Sequence, residues 1–143
     1  MPTTLSMKFM NAVHRGAIAV TRGRFGWDLA GMPVIELTTT GRRSGEARTS
    51  MLTAPLAENG GYVIVASRGG DDRHPAWFLN LRDQPLVQVA RKRRSAVPMR
   101  ARILGGAERA EAWNRIVDVF PHYAGYQRKT TREIPLVSLE PVG

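Results

Sequence analysis

At 143 residues, with hydrophobic residues at 43% and no cysteine, the chain has the length and apolar content of one ordinary domain and lacks the means for disulfides or thiolate metal sites. Lys and Arg number 21 against 12 Asp and Glu, a formal net charge of +9, so the expected partner is anionic: nucleic acid, acidic lipid or an acidic small molecule. Nowhere do the roughly 18 successive apolar residues of a membrane span occur, and the cysteine-free composition fits a cytoplasmic protein.

In chain order, Phe9, Met10, Val13, Ala17 and Val20 fall on one side of a helical wheel, and Lys8, Arg15 and Arg22 fall on the other. This predicts a basic amphipathic helix over about residues 5 to 22, which either docks its apolar stripe on its own domain or makes peripheral contact with an anionic membrane. "PVIELTTT" is rich in β-branched residues and reads as a strand ending at Gly41. "ARTSMLTAPLA" resumes an extended pattern, and "ENGG" is a hairpin turn leading into the buried-strand run "YVIVAS", so three strands are expected to form a meander. The charged, glycine-rich loop "RGGDDRHP" follows, then a short helix with Pro75 in its first turn.

"LVQVA" and "VPMRARIL" read as two further strands joined across "RKRRS", with Arg100 and Arg102 on a wet face and Met99, Ala101 and Ile103 opposite. "GGAERAEAWNRIVDVF" has helical spacing through Ala112, Ile116 and Val119 and stops before Pro121, and "IPLVSLEP" is a last strand. The expected fold is a single α+β domain over the whole chain, a small antiparallel barrel of five or six strands with peripheral helices.

The turn "GRRSG" invites a phosphate-loop reading, because tight-turn amides and guanidinium forks both bind phosphate oxygens. The Walker spacing fails, since Glu46 stands where the second glycine would be and a strand follows. What remains is a hairpin tip that either presents Arg42, Arg43, Ser44 and its first amides to an anion or is simply solvated. Asp71, Asp72 and His74 crowd one loop, but three ligand-type residues so close together rarely close a metal site without a distant partner, so no metal is expected.

Read together, "LTTTGRRSGEARTSMLTAPL", "GGYVIVASRGGDDRHPAWFLNL" and "YAGYQRKTTREIPLVSLEP" resemble, in order and spacing from Pro33 to Pro141, the deazaflavin-dependent nitroreductase family, which includes F420H2-dependent quinone reductases. The resemblance implies a split β-barrel and coenzyme F420, whose phosphate and oligoglutamate tail call for a basic groove. By position, Thr40, Arg42, Arg43 and Ser44 stand where the family holds the cofactor phosphate and the start of the tail. Arg48 is either a further contact or a surface arginine. Ala66, Ser67, Arg68 and Gly69 match the loop along the ring and phosphate. Pro75, Trp77 and Asn80 fall on the matching helix, with Trp77 near the ring or packed beneath it, and His74 either fixes the loop or touches cofactor.

Phe120, Tyr123 and Tyr126 recur at spacing three, a pattern of core or, by the resemblance, of a segment closing over the substrate. The resemblance implies hydride transfer from reduced deazaflavin to a quinone, nitroaromatic or enone, with Tyr126, Tyr123, Ser67 or solvent as the proton source. Phe120, where some relatives carry tyrosine, removes one hydroxyl. A carrier of another flavin, a tetrapyrrole or a lipid is the rival reading. Nucleic-acid binding ranks below both, because the basic hairpin lacks interleaved aromatics. A monomer or homodimer is expected.

Overall fold

The computed structural model describes residues 31–91 and 94–142, so the predicted helix near residues 5 to 22 and the centre of the "RKRRS" turn lie outside the described residues. Strand β1 (Val34–Thr40) pairs antiparallel with β2 (Ala47–Thr53), Val34 opposite Thr53 and Thr40 opposite Ala47. Period-two burial follows from the pleat: Ile35, Leu37 and Thr39 all turn inward. Next come β3 (Leu56–Glu58), β4 (Gly61–Val65), α1 (Ala76–Asp83), β5 (Leu86–Arg91) and β6 (Val97–Ile103), then α2 (Gly106–Val119), α3 (His122–Gln127) and β7 (Leu136–Pro141).

The strands form one seven-stranded antiparallel sheet in the order β2-β1-β5-β6-β7-β4-β3. The expected meander is therefore wrong in one respect. "ARTSMLTAPLA" breaks at Ala54 and Pro55, and its halves become β2 and β3 at opposite edges of the sheet. That break also yields one strand more than expected. Two linking residues allow β2 and β3 to stand at most about 11 Å apart, whereas the edges of a flat sheet of this size would lie about 29 Å apart. The sheet must curl until its edges approach, which makes it a split barrel.

Neighbouring residues on a strand face opposite sides, and β4 and β7 use this to separate two apolar clusters. Ile64, Val137 and Leu139 join Ile35, Leu37, Val87, Val89 and Met99 on one side, where α1 buries Trp77, Phe78 and Leu81. Val63, Val65 and Leu136 face the other way, onto Met32, Ala112, Ile116 and Tyr123. Pro75 is the N-cap of α1 rather than a first-turn residue, and its carbonyl accepts the Phe78 amide at 3.1 Å. Met99 and Ala101 of β6 are buried while Arg100 and Arg102 are exposed, as the alternation predicts. Ile103 departs from it at 43% exposure, and Val119, the last residue of α2, is 67% exposed although Ile116 in the same turn is buried.

Candidate active site

The β1–β2 turn closes on its own backbone. The Gly41 amide donates to the Glu46 carbonyl at 2.7 Å and the Gly45 amide to the Gly41 carbonyl at 2.8 Å. Gly45 has φ of +72°, a conformation that favours glycine. At Gly41 a Cβ would stand 2.6 Å from Ser44 Oγ, so glycine lets the serine fold back, where its oxygen accepts the Glu46 amide at 3.1 Å. The Arg42 amide is taken as well, donating to Asn80 Oδ1 at 3.0 Å. The expectation that this turn offers its first amides to an anion is corrected for Gly41 and Arg42, whose amides are taken by Glu46 and Asn80, and the side chains of Arg42, Arg43 and Ser44 face solvent.

Asn80 is buried on α1 and uses both ends of its amide, since its Nδ2 also donates to Thr39 Oγ1 at 3.1 Å. It ties α1 to the end of β1 and sets the arginine turn. Thr40 is half-buried at the end of the ladder, opposite Ala47. Arg48 is exposed and shared between Glu46 at 3.6 Å and Ser44 Oγ at 3.4 Å.

The loop after β4 is the strained part of the site. Ser67 is right-handed (φ −79°, ψ −34°), after which Arg68, Gly69 and Gly70 take φ of +48°, +65° and +89°. A right-handed residue followed by left-handed ones turns successive N–H groups toward one concavity, a nest that suits an anion. Gly70 is packed so closely on α3 that a Cβ would stand 2.8 Å from the Tyr126 carbonyl oxygen. The Arg68 side chain is 6% exposed and ion-paired with Asp71 at 3.5 Å rather than extended to solvent, and burial lowers its pKa, with Asp71 opposing. Ala66 and Ser67 are buried beneath the loop.

His74 lies between this loop and α1, its ring 4.7 Å from Phe78. Burial first, then Arg132 and Arg82, lowers its pKa, so it is neutral at pH 7. The residue missed from the sequence is Arg132. Its Nε donates to the Asp71 carbonyl (2.8 Å), its Nη2 to the carbonyls of Ser67 (2.9 Å) and Ala66 (3.2 Å), and its Nη1 faces His74 Nδ1 at 3.2 Å. It stands inside the block "YAGYQRKTTREIPLVSLEP" that carries the resemblance, where nothing singled it out from its basic neighbours.

On α3 the two tyrosines differ. Tyr123 is 5% exposed, its hydroxyl 3.1 Å from Thr53 Oγ1 and donating to Met32 Sδ at 3.5 Å, and burial raises its pKa. Tyr126 is half-buried, edge-on to Tyr123 at 6.0 Å, with Lys129 Nζ 5.8 Å from its ring. Phe120 lies before α3 as the C-cap of α2.

Arginine turn, α1, strained loop and α3 are thus contiguous, joined through Asn80, His74, Arg132 and Gly70. Two buried donors in this unit, Arg68 Nε and Trp77 Nε1, have no partner among the described residues. Together with the nest and the exposed arginines, they fit an acceptor-rich, polyanionic ligand. A separate groove of about 280 Å³ between β3, β4, β7 and α2 contains none of these residues.

A model of the F420H(2)-dependent quinone reductase family matches residues 12–141. Among relatives, an F420H(2)-dependent quinone reductase of Mycobacterium tuberculosis is 34% identical over 137 residues, spanning 93% of this chain and 88% of its own. Among solved structures, an F420-H2 dependent reductase, FDR-A, is 42% identical with a TM-score of 0.66, over 76% of this chain and 94% of that one. A chain described as a domain-swapped dimer is 36% identical with a TM-score of 0.68, over 92% and 98%. An FAD-binding protein of Mesorhizobium loti, 12% identical with a TM-score of 0.53, shares the fold over 87% of each chain.

Proposed function

The chain belongs to the F420H(2)-dependent quinone reductase family, and on that premise we propose that it is an oxidoreductase that uses coenzyme F420 to reduce a quinone. When bound, the reduced cofactor supplies the hydride. The protein's own residues bind, orient and shield. The carrying observation is that two anion-seeking features flank α1, the exposed Arg42 and Arg43, tied to it through Asn80, and the Ser67–Gly69 nest on the loop that precedes it.

In this reading Arg42, Arg43 and Ser44 take the phosphate and the first acidic groups of the tail, and Arg48 extends that basic surface. The amides of Ser67, Arg68 and Gly69 take an acceptor edge of the cofactor, while Ala66, Pro75 and Trp77 form its apolar bed. Trp77 Nε1 is a donor awaiting an acceptor. His74, neutral and with Nδ1 turned to Arg132, presents Nε2–H. Tyr126 orients the acceptor and supplies the proton that must accompany hydride addition to a quinone oxygen, and Ser67 is the alternative donor. The inward hydrogen bonds of Tyr123 give it a supporting part beneath Tyr126.

The test is spectrophotometric: F420H2 mixed with protein and a soluble quinone should be oxidised at a rate proportional to protein. A rate equal to the protein-free control, with FMN or haem bound instead, would overturn the reading in favour of a carrier. The solved relative described as a domain-swapped dimer supports a homodimer as the working unit. The basic sequence near residues 5 to 22 supports peripheral membrane contact, where a lipid-dissolved quinone would be met. Flotation with anionic vesicles that weakens with salt is expected, and its absence even at low salt would remove that part.

A further inference from the structure

Arg68 holds a left-handed backbone conformation that costs a non-glycine residue about 1 kcal/mol or more, and strain of this kind persists only where the surroundings over-determine it. The strained stretch Arg68–Gly70 makes only short-range bonds of its own, the Gly70 amide to Ser67 O at 2.9 Å and the Asp71 amide to Arg68 O at 3.2 Å. Arg132 brackets it, gripping the Ala66 and Ser67 carbonyls before it and the Asp71 carbonyl and His74 ring after it. A guanidinium alone among cationic side chains can do this, because its donors spread in a rigid fork whereas an ammonium donates from one point.

Arg132 is itself fixed from α3. Gln127 donates from Nε2 to the Arg132 carbonyl at 2.7 Å and accepts the Ile134 amide at Oε1 at 2.9 Å, which spends both ends of its amide on the segment that carries Arg132. Because an N–H stands opposite the carbonyl of the preceding residue across a trans peptide, holding the Ala66 and Ser67 carbonyls turns the Ser67 and Arg68 amides away from Arg132. We propose that Arg132 is a positioning residue that holds the Ser67–Gly69 nest and His74 Nε2–H in their ligand-facing arrangement, and that through Gln127 it ties this cofactor loop to the tyrosine helix. This deepens, and rests on, the quinone reductase reading. It adds that the cofactor side and the acceptor side of the site move as one body.

The test has one arm that needs no cofactor. Amide hydrogen exchange of Gly70 and Asp71, the hydrogen-bonded amides of the loop, should quicken on the order of tenfold in the ligand-free Arg132→Lys and Arg132→Ala proteins, as expected for loss of about one charged hydrogen bond. Exchange in β4 and β7 should hold. Unchanged exchange in the loop would overturn the proposal, and Arg132→Lys decides it should the alanine variant fail to fold.

In the second arm, the F420 dissociation constant read by tryptophan fluorescence should rise on the order of tenfold in both variants. Millimolar guanidinium, but not ammonium, should restore binding to Arg132→Ala. Wild-type affinity in Arg132→Lys would show that only charge is needed and would overturn the positioning role. A wild-type protein that fails to bind F420 at all would instead sink the functional reading, leaving the exchange arm to decide Arg132.

Discussion

Replacing Asn80 tests whether the arginine turn is set from α1. Asn80 is 6% exposed, receives the Arg42 amide at 3.0 Å and donates to Thr39 Oγ1 at 3.1 Å. Each bond contributes about 1 kcal/mol net. The Arg42 amide sits on an exposed turn and can find water, but Thr39 is 2% exposed and loses a buried donor. Asn80→Ala should therefore cost about 2–3 kcal/mol, which for a domain of this size lowers Tm by about 6–10 °C. Asn80→Leu separates bonding from space filling: it restores volume but neither hydrogen bond, so it should remain destabilised by about 2 kcal/mol. Urea unfolding gives both values, and hydrogen exchange at the Arg42 amide should speed up in each variant. Wild-type stability in Asn80→Leu, or an unaltered Arg42 amide, would mean that Asn80 does not set the turn.

Tyr123→Phe should lower stability by about 1 kcal/mol, since it removes the bonds to Thr53 and Met32. Tyr126→Phe should leave stability within about 0.5 kcal/mol while lowering kcat for quinone, a split that paired thermal melts and kinetics would show. Arg102 lies between Glu108 at 2.7 Å and Glu140 at 2.8 Å and holds both carboxyls below their ordinary pKa of 4.5. Depressed carboxyls stabilise above their unfolded pKa and lose that contribution as pH falls through the folded values. The stability gap between wild type and Arg102→Met should thus be present at pH 7 and close in acid, and it should be small because the cluster is exposed. A gap that persists in strong acid would contradict this sign.

Much of the fold was legible because it rests on local patterns: the β-branched runs of β1 and β4, the Gly-rich hairpin after Glu58, and the Ala112–Ile116 stripe of α2. The parting of β2 from β3 was not, because Ala54 and Pro55 sit between extended residues that look alike, and which edge each half joins is settled by distant pairing. In the site, residue type located the loops but not the direction of side chains. Arg68 and Arg42 are both arginines beside glycine, yet one is buried against Asp71 and the other is exposed. Asn80 matched a cofactor helix by position, and the structure spends its amide inside the protein. Arg132 stayed hidden because three of its four partners include backbone carbonyls of a loop bent by positive φ angles, and neither carbonyls nor their orientation leave a trace in the sequence.

The arginine turn and the nest together are proposed to bind the polyanionic cofactor. The most direct measurement is a titration with coenzyme F420 followed by tryptophan fluorescence, comparing wild type with Arg42→Ala plus Arg43→Ala at two ionic strengths, with FMN as competitor. Saturable binding by the wild type is expected, weakened on the order of tenfold or more by the double change, with a smaller salt dependence in the variant and little competition by FMN. Equal affinity in both proteins, or preference for FMN, would contradict this assignment.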